Sequence, residues 1–218
     1  MSGSQASDAA AERCRVLIAD DHPVVRAGLA AGITQEPDLD LVAQAENGER
    51  ALALFREHRP DVVLMDLRMP QMGGVEAIRR ITAEFPDARI LALTTFDGDA
   101  DIRRALRAGA RGYLLKDMPL EEVIAAIRAL LRGERVIPAA VASRLAEHSE
   151  RADLTERELE VLHLVGRGLS NKEVAKAIGR MDETVKIHLK NIFVKLGVDD
   201  RTGAVTVALA RGLIHFDE

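Results

Sequence analysis

Asp61-Val62-Val63-Leu64-Met65-Asp66-Leu67-Arg68-Met69-Pro70 is the stretch on which the fold turns. Residues 62–65 form an uninterrupted apolar run, short for a helix and lacking the alternation of a strand wetted on one face. Such a run reads as a strand buried on both sides, as in a parallel sheet covered by helices on each face. It ends in Asp66, after which Pro70, Gly73 and Gly74 turn the chain toward a helix.

Outward from this strand the same grammar repeats. Further β-branched or apolar runs occupy 15–19, 40–44, 89–93 and 111–115, and helical spacing recurs near 23–35, 48–57, 74–84, 99–108 and 119–131. Five strands alternating with five helices predict an α/β domain with a doubly wound, five-stranded parallel sheet over residues 13–132.

Open sheets of this kind bind ligands beyond the carboxyl ends of their strands. There the first strand runs into Asp20-Asp21 and the third into Asp66, the fourth ends at Thr94, and Lys116 follows the fifth. Three carboxylates with ordinary pKa values near ~4 are ionised at neutral pH and repel one another. A hard dication with oxygen ligands relieves that repulsion, and Mg²⁺ suits the task. The arrangement also fits phosphoryl transfer, with an Asp as nucleophile and an aspartyl phosphate as product. The metal, Lys116 and the Thr94 hydroxyl would then neutralise the equatorial oxygens. For any single acidic residue, capping a strand or helix is an equally good account; for the whole set at successive strand ends it is a poor one. His22 is read as a helix-start residue and not as a ligand, and Met69 and Met72 as loop packing.

Composition sets the outer bounds. The chain has 218 residues, 47% of them apolar and 30% charged, with a formal net charge of −5. This is an ordinary globular balance and not that of a wholly basic nucleic-acid coat protein. No apolar run approaches the ~20 residues of a membrane span, and the polar, Ser/Ala-rich residues 1–12 read as a disordered leader and not as a secretion signal. One cysteine, Cys14, permits neither an internal disulfide nor a cysteine-based zinc site and is expected to be inert. A cytoplasmic location is expected.

The pattern changes after about 132. Residues 133–152 read as a linker carrying a short helix, and from 153 to 218 only helical segments follow, near 155–166, 170–178, 183–196 and 201–211. Thr155 with Glu158, and Ser170 with Glu173, have the spacing of capping boxes. Val185, Leu189, Ile192 and Leu196 share one helix face and are expected to pack inward. Ile187 then falls on the opposite face between Lys186 and Lys190, and His188 at the edge of the core stripe. Residues 170–197 carry six Lys/Arg against three Asp/Glu, although residues 1–150 are net acidic. An apolar side chain flanked by lysines suits a helix in the DNA major groove, with lysines at guanine edges or phosphates and Ile187 against a thymine methyl. The two helices joined through Gly179-Arg180-Met181-Asp182 then form a helix-turn-helix. A helical bundle that docks another protein is the alternative.

Two resemblances sharpen this reading. Asp20-Asp21, Asp61 to Pro70 with Gly73-Gly74, Thr94-Thr95 and Gly109 to Lys116 resemble the receiver domain of response regulators, a flavodoxin-like fold. Leu154-Thr155-Glu156-Arg157-Glu158, Gly168 to Ala175, Thr184-Val185-Lys186-Ile187-His188, and Lys195 to Val198 with Arg201 resemble the LuxR-type helix-turn-helix. The whole is similar to the NarL/FixJ family of response regulators. The resemblance implies that Asp66 accepts a phosphoryl group from the phosphohistidine of a sensor histidine kinase. Asp20, Asp21, Asp66 and the backbone carbonyl of Arg68 would hold Mg²⁺, Lys116 would pair with the phosphoryl oxygens, and Thr94 and Tyr113 would be the switch residues. Lys172 and Thr184 would contact the DNA backbone, and Lys186, Ile187 and Lys190 would face the groove of double-stranded DNA. A homodimer formed on phosphorylation, its last helix at the dimer contact, would regulate transcription, with RNA polymerase as a further partner. Asp117 stands where many receivers have Pro. Arg180-Met181 replaces the family's apolar residue and Ser or Thr cap, so Asp182 is expected to cap the following helix one place later. Two other functions fit parts of the pattern: a metal-dependent phosphohydrolase using Asp66 as nucleophile, and a phosphorylation-controlled protein-binding adaptor with a DNA-incompetent tail.

Overall fold

A computed structural model describes residues 13–95, 98–138 and 154–214. The leader 1–12 and the short helix expected within the linker lie outside these residues.

Strands β1 (Cys14–Ala19), β2 (Leu39–Ala45), β3 (Val62–Asp66), β4 (Ile90–Thr94) and β5 (Gly112–Leu115) alternate with helices α1 (Pro23–Gln35), α2 (Gly48–His58), α3 (Gly74–Glu84), α4 (Asp99–Arg107) and α5 (Leu120–Leu131). All strand pairs are parallel, in the order β2-β1-β3-β4-β5, so the chain reverses its direction of travel across the sheet beside β1 and β3. That reversal is the crevice in which a doubly wound sheet places its site. Every residue of β3 and of β4 is buried, which explains why their sequences lack alternation. On one face Val16, Ile18, Val62, Leu64 and Leu91 pack against Ile33 of α1 and against Val123, Ile127 and Leu130 of α5. The sheet's hydrogen bonding extends past 132, where sequence reading begins the linker: Tyr113 donates its amide to the carbonyl of Val136 at 2.8 Å.

The described residues divide into two compact units, one running to Thr94 and resuming over Ala105–Val136, the other comprising those of Thr95–Arg104 and those from Ile137 onward. The second contains α6 (Glu156–Gly166), α7 (Asn171–Ala177), α8 (Asp182–Leu196) and α9 (Arg201–Ala210). Val185, Leu189, Ile192 and Leu196 of α8 are buried against Val161, Leu162 and Val165 of α6, Val174 of α7 and Ala204 and Ala208 of α9. Both capping boxes form, Thr155 with Glu158 and Ser170 with Glu173. Glu158 reaches further: its carboxylate also accepts from Lys195 at 2.7 Å, tying the start of α6 to the end of α8. Arg201 donates to the carbonyls of Val165 and Leu169 and fixes the start of α9 in the same way. Among the described residues no helix is long and apolar enough to cross a membrane.

Candidate phosphoacceptor site and nucleic-acid interface

The acidic cluster is built by adjacency in the sheet. Because β1 pairs with β3 and β3 with β4, the residues that leave these strands at their carboxyl ends share one rim. Asp20 and Asp66 are buried to within 2% of their full surface, Thr94 to 1%. Lys116 extends from beyond β5 across that rim. Its Nζ stands 2.7 Å from Oδ2 of Asp20 and donates a 2.7 Å hydrogen bond to Oδ2 of Asp66. The other oxygen of Asp66 accepts from the amide of Arg68 at 3.2 Å. Lys116 is itself anchored through its backbone amide, which donates to the carbonyl of Thr94 at 2.8 Å.

Local sequence dictates the shape of the loop after β3. A Cβ on Gly74 would lie 1.9 Å from the carbonyl oxygen of Asp66, so only glycine lets α3 begin against the Asp66 backbone. The Gly74 amide closes the loop by donating to the carbonyl of Leu67 at 3.0 Å. Burial is the largest influence on the Asp66 carboxyl and pushes it up to about 6; the Lys116 hydrogen bond and charge pull back only part of that rise. Burial likewise pushes the Cys14 thiol up to about 12, which holds it protonated and inert as expected.

The residues present fit a divalent cation. Ligand atoms of Asp20, Asp21, His22 and Asp66 lie within 4.8 Å of one another. One oxygen of Asp21 is buried and receives no hydrogen bond, the condition of an atom awaiting a ligand. Tyr113 is fully buried on β5, opposite Ala92 of β4.

Sequence reasoning missed two participants. Arg26 of α1 donates to the carbonyl of Asp20 and stiffens the first acidic corner. His22, read as a helix start, is the N-cap residue of α1 with Pro23 after it. Its ring nevertheless folds back onto the acidic pair, with Nδ1 2.9 Å from Oδ1 of Asp21. Only direct adjacency to Asp21 hinted at this, since the backbone at a cap decides where the ring goes.

In the helical unit, Gly179 (φ 63°) makes the turn between α7 and α8, a left-handed conformation that costs other residues about 1 kcal/mol or more. Lys172, Lys186 and Lys190 are exposed, Ile187 is 62% exposed, and Thr184 is half-buried at the start of α8. His188 is also half-buried, as its place beside the core stripe predicts. The expected cap is corrected: Met181 is the N-cap of α8 and supplies no side-chain hydrogen bond, while Asp182 is the first helical residue. Asp182 instead lies 3.3 Å from Lys186, whose Nζ is also 2.6 Å from Glu183. Both carboxylates sit in the positive first turn of the helix, which favours them there, and together they hold the Lys186 ammonium above its usual range, Glu183 more strongly.

Comparison with known proteins agrees with this geometry. The family described as response regulator receiver domain matches residues 16–128, and that described as bacterial regulatory proteins, luxR family, matches residues 152–208. The transcriptional regulatory protein LnrK of Bacillus subtilis is 39% identical over 93% of this chain and 99% of its own. Response regulator protein VraR of Staphylococcus aureus is 40% identical over 92% of this chain and 99% of its own. Among solved structures, response regulator ChrA of a heme-sensing two-component system superposes with a TM-score of 0.56 at 40% identity, covering 93% of this chain and 99% of ChrA. The RcsB–DNA complex gives 0.67 at 27% identity, covering 91% of this chain and 99% of RcsB.

Proposed function

We propose, from the premise that this chain belongs to the response regulators in which a receiver domain precedes a LuxR-type DNA-binding domain, that it is a transcription regulator switched by phosphorylation of Asp66. The receiver spans residues 13–132 with the segment to Val136 paired to its sheet, the linker follows to 152 and the DNA-binding domain covers 153–218. The observation that carries the reading is the placement of Lys116 Nζ within 2.7 Å of both Asp20 and Asp66. That cation offsets part of the charge of two buried carboxylates and is also well set to meet an anion added to one of them.

The phosphodonor is the phosphohistidine of a sensor histidine kinase. An Asp66 carboxylate oxygen attacks the phosphorus, the phosphorus–nitrogen bond breaks, and the imidazole leaves with its electron pair. Asp20, Asp21, Asp66 and the carbonyl of Arg68 would hold Mg²⁺, which would supply charge neutralisation for the transferring group. Lys116 pairs with one phosphoryl oxygen. The Thr94 hydroxyl, at the end of β4, donates to another, and Tyr113 on the neighbouring strand adjusts to that movement. Coupling of this kind is typically worth ~1–3 kcal/mol, so the unphosphorylated chain retains some activity.

In the output domain α8 lies in the major groove. Lys186, Ile187 and Lys190 face the groove, the lysines within reach of base edges or phosphates, while Lys172 and Thr184 hold the backbone. A homodimer binds paired half-sites, with α9 at the dimer contact, and RNA polymerase is the downstream partner; RcsB dimers have been solved bound to DNA. The protein works in the cytoplasm, where its DNA lies.

Mass measurement after treatment with a small phosphodonor and Mg²⁺ tests the acceptor. The wild type gains one phosphoryl group and Asp66→Asn gains none; a gain in the variant overturns the assignment. Selection of bound DNA from a random pool, with and without phosphodonor, tests the output domain, and recovery of no enriched sequence under either condition overturns that half.

A further inference from the structure

We propose that His22 is an additional donor at the divalent-cation site and tunes it toward ions that accept an imidazole nitrogen, such as Co²⁺ or Zn²⁺, in competition with Mg²⁺. The inference rests on the reading above in taking Asp21 and Asp66 as oxygen donors, and it adds a ligand and a selectivity.

The backbone sets the geometry. Pro23 opens α1 and keeps His22 extended, at φ −82° and ψ 108°. Its amide donates to Oδ1 of Asp20 at 2.8 Å, which locks the residue against the acidic pair. From there the ring reaches Asp21, with Nδ1 2.9 Å from Oδ1, and Asp20, with Nδ1 3.3 Å from Oδ1. Neighbouring corners of a coordination shell with bonds near ~2.1 Å stand about 3 Å apart. Nδ1 and Oδ1 of Asp21 already keep that separation.

A second observation comes from the oxygen itself. Oδ1 of Asp21 is buried and accepts no hydrogen bond, although Nδ1 is close, so the contact does not satisfy it. An ion between the two atoms does. The His22 side chain meanwhile keeps 60% of its surface open, so Nδ1 can face an ion without burying the other nitrogen. Imidazole adds a donor but no charge. Mg²⁺ gains little from it, since Mg²⁺ prefers oxygen and keeps its waters, whereas borderline ions later in the first-row series gain a nitrogen bond.

Calorimetric titration of the full chain with Co²⁺, and separately with Mg²⁺, tests this in the wild type and in His22→Ala. The exposed ring makes the substitution neutral for the core, and retained Mg²⁺ binding verifies that the site is intact. Co²⁺ affinity is expected to fall about tenfold or more, the scale on which an ordered metal site responds to its supporting groups, with Mg²⁺ affinity changing less than about twofold, and the visible Co²⁺ absorption band shifts in the variant. Equal Co²⁺ affinities, or equal losses for both ions, overturn the proposal. Asp21→Asn, titrated in parallel with Mg²⁺, keeps the cases apart: its loss of Mg²⁺ binding beside an unaffected His22→Ala discards the His22 ligand alone, while retention discards the cation site itself.

Discussion

Lys116 Nζ stands 2.7 Å from Oδ2 of Asp66, with both side chains at least 95% removed from water. A second buried carboxylate, Asp20, shares the same ammonium. One positive charge therefore meets two negative ones in a place where unbalanced charge is expensive, and one negative charge is left over.

Replacing Lys116 by Met leaves Asp20 and Asp66 facing each other without a counter-charge. Breaking a buried pair from one side typically costs about 3–5 kcal/mol. We expect the receiver of Lys116→Met to unfold at markedly lower urea concentration in EDTA, and Mg²⁺ to restore much of the loss. Chemical denaturation in the two buffers measures this, and an unchanged midpoint would show that the carboxylates do not need the ammonium.

Acidity acts through Asp66 with a definite sign. Its folded pKa, about 6, lies above the ordinary value near ~4, so the folded protein binds the proton more tightly than the unfolded chain. The ionised carboxylate thus costs stability above about pH 6, and the cost disappears as pH falls through 6 toward 4. Without divalent ions, Asp66→Asn should be more stable than wild type near neutral pH, by on the order of 2 kcal/mol, with the gap closing on acidification. Phosphorylation by a small phosphodonor should slow over the same range as the nucleophile takes up its proton. A gap independent of pH would contradict the raised pKa.

Gly74→Ala forces a methyl group to within 1.9 Å of the Asp66 carbonyl unless the loop shifts. Overpacking of this kind costs about 1–3 kcal/mol. Because the strain falls on the acceptor's own backbone, the rate of phosphorylation should drop along with the melting temperature. Thermal melting and phosphorylation time courses on the same sample test both parts.

Met181 caps α8 without a side-chain hydrogen bond and is 75% exposed. Met181→Thr supplies the missing acceptor at no expense to the core and should stabilise the helical unit by about 1 kcal/mol. Differential scanning calorimetry of the full chain should show the corresponding rise in the transition of that unit.

Glu183→Gln releases Lys186 from its closer carboxylate, 2.6 Å away. Exposed pairs like this contribute little to stability, so the fold should be unaffected. The freed ammonium becomes available to phosphate, and the salt dependence of DNA binding should steepen by roughly 0.9 for each additional phosphate that Lys186 neutralises. Binding isotherms at several salt concentrations measure the slope, and an unchanged slope places Lys186 away from the backbone.

The strands and the acidic rim were legible because burial leaves a mark on sequence. An apolar run such as Val62–Met65, too short for a helix, reads as a covered strand, and the polar residue at its carboxyl end falls at the crevice. The Val185-Leu189-Ile192-Leu196 stripe was equally plain, since one face of α8 carries all its core contacts. The start of α8 was misread by one residue. A cap is chosen by backbone geometry, and Asp182 does better in the first turn near Lys186 than outside it. His22 and Arg26 were missed as neighbours of the acidic pair for a related reason. Their identities fit a helix start, and only the folded backbone shows that they lean back over Asp20 and Asp21.

The close approach of Gly74 to the carbonyl of Asp66 leaves the loop after β3 no slack. If a group is attached to Asp66, a backbone held this closely gives little on that side, and Thr94 and Lys116, at the ends of β4 and β5, are the neighbours left to respond. Two proteins sharing an identical acceptor loop can therefore answer the same chemical event with different movements, by altering only the residues that follow those two strands.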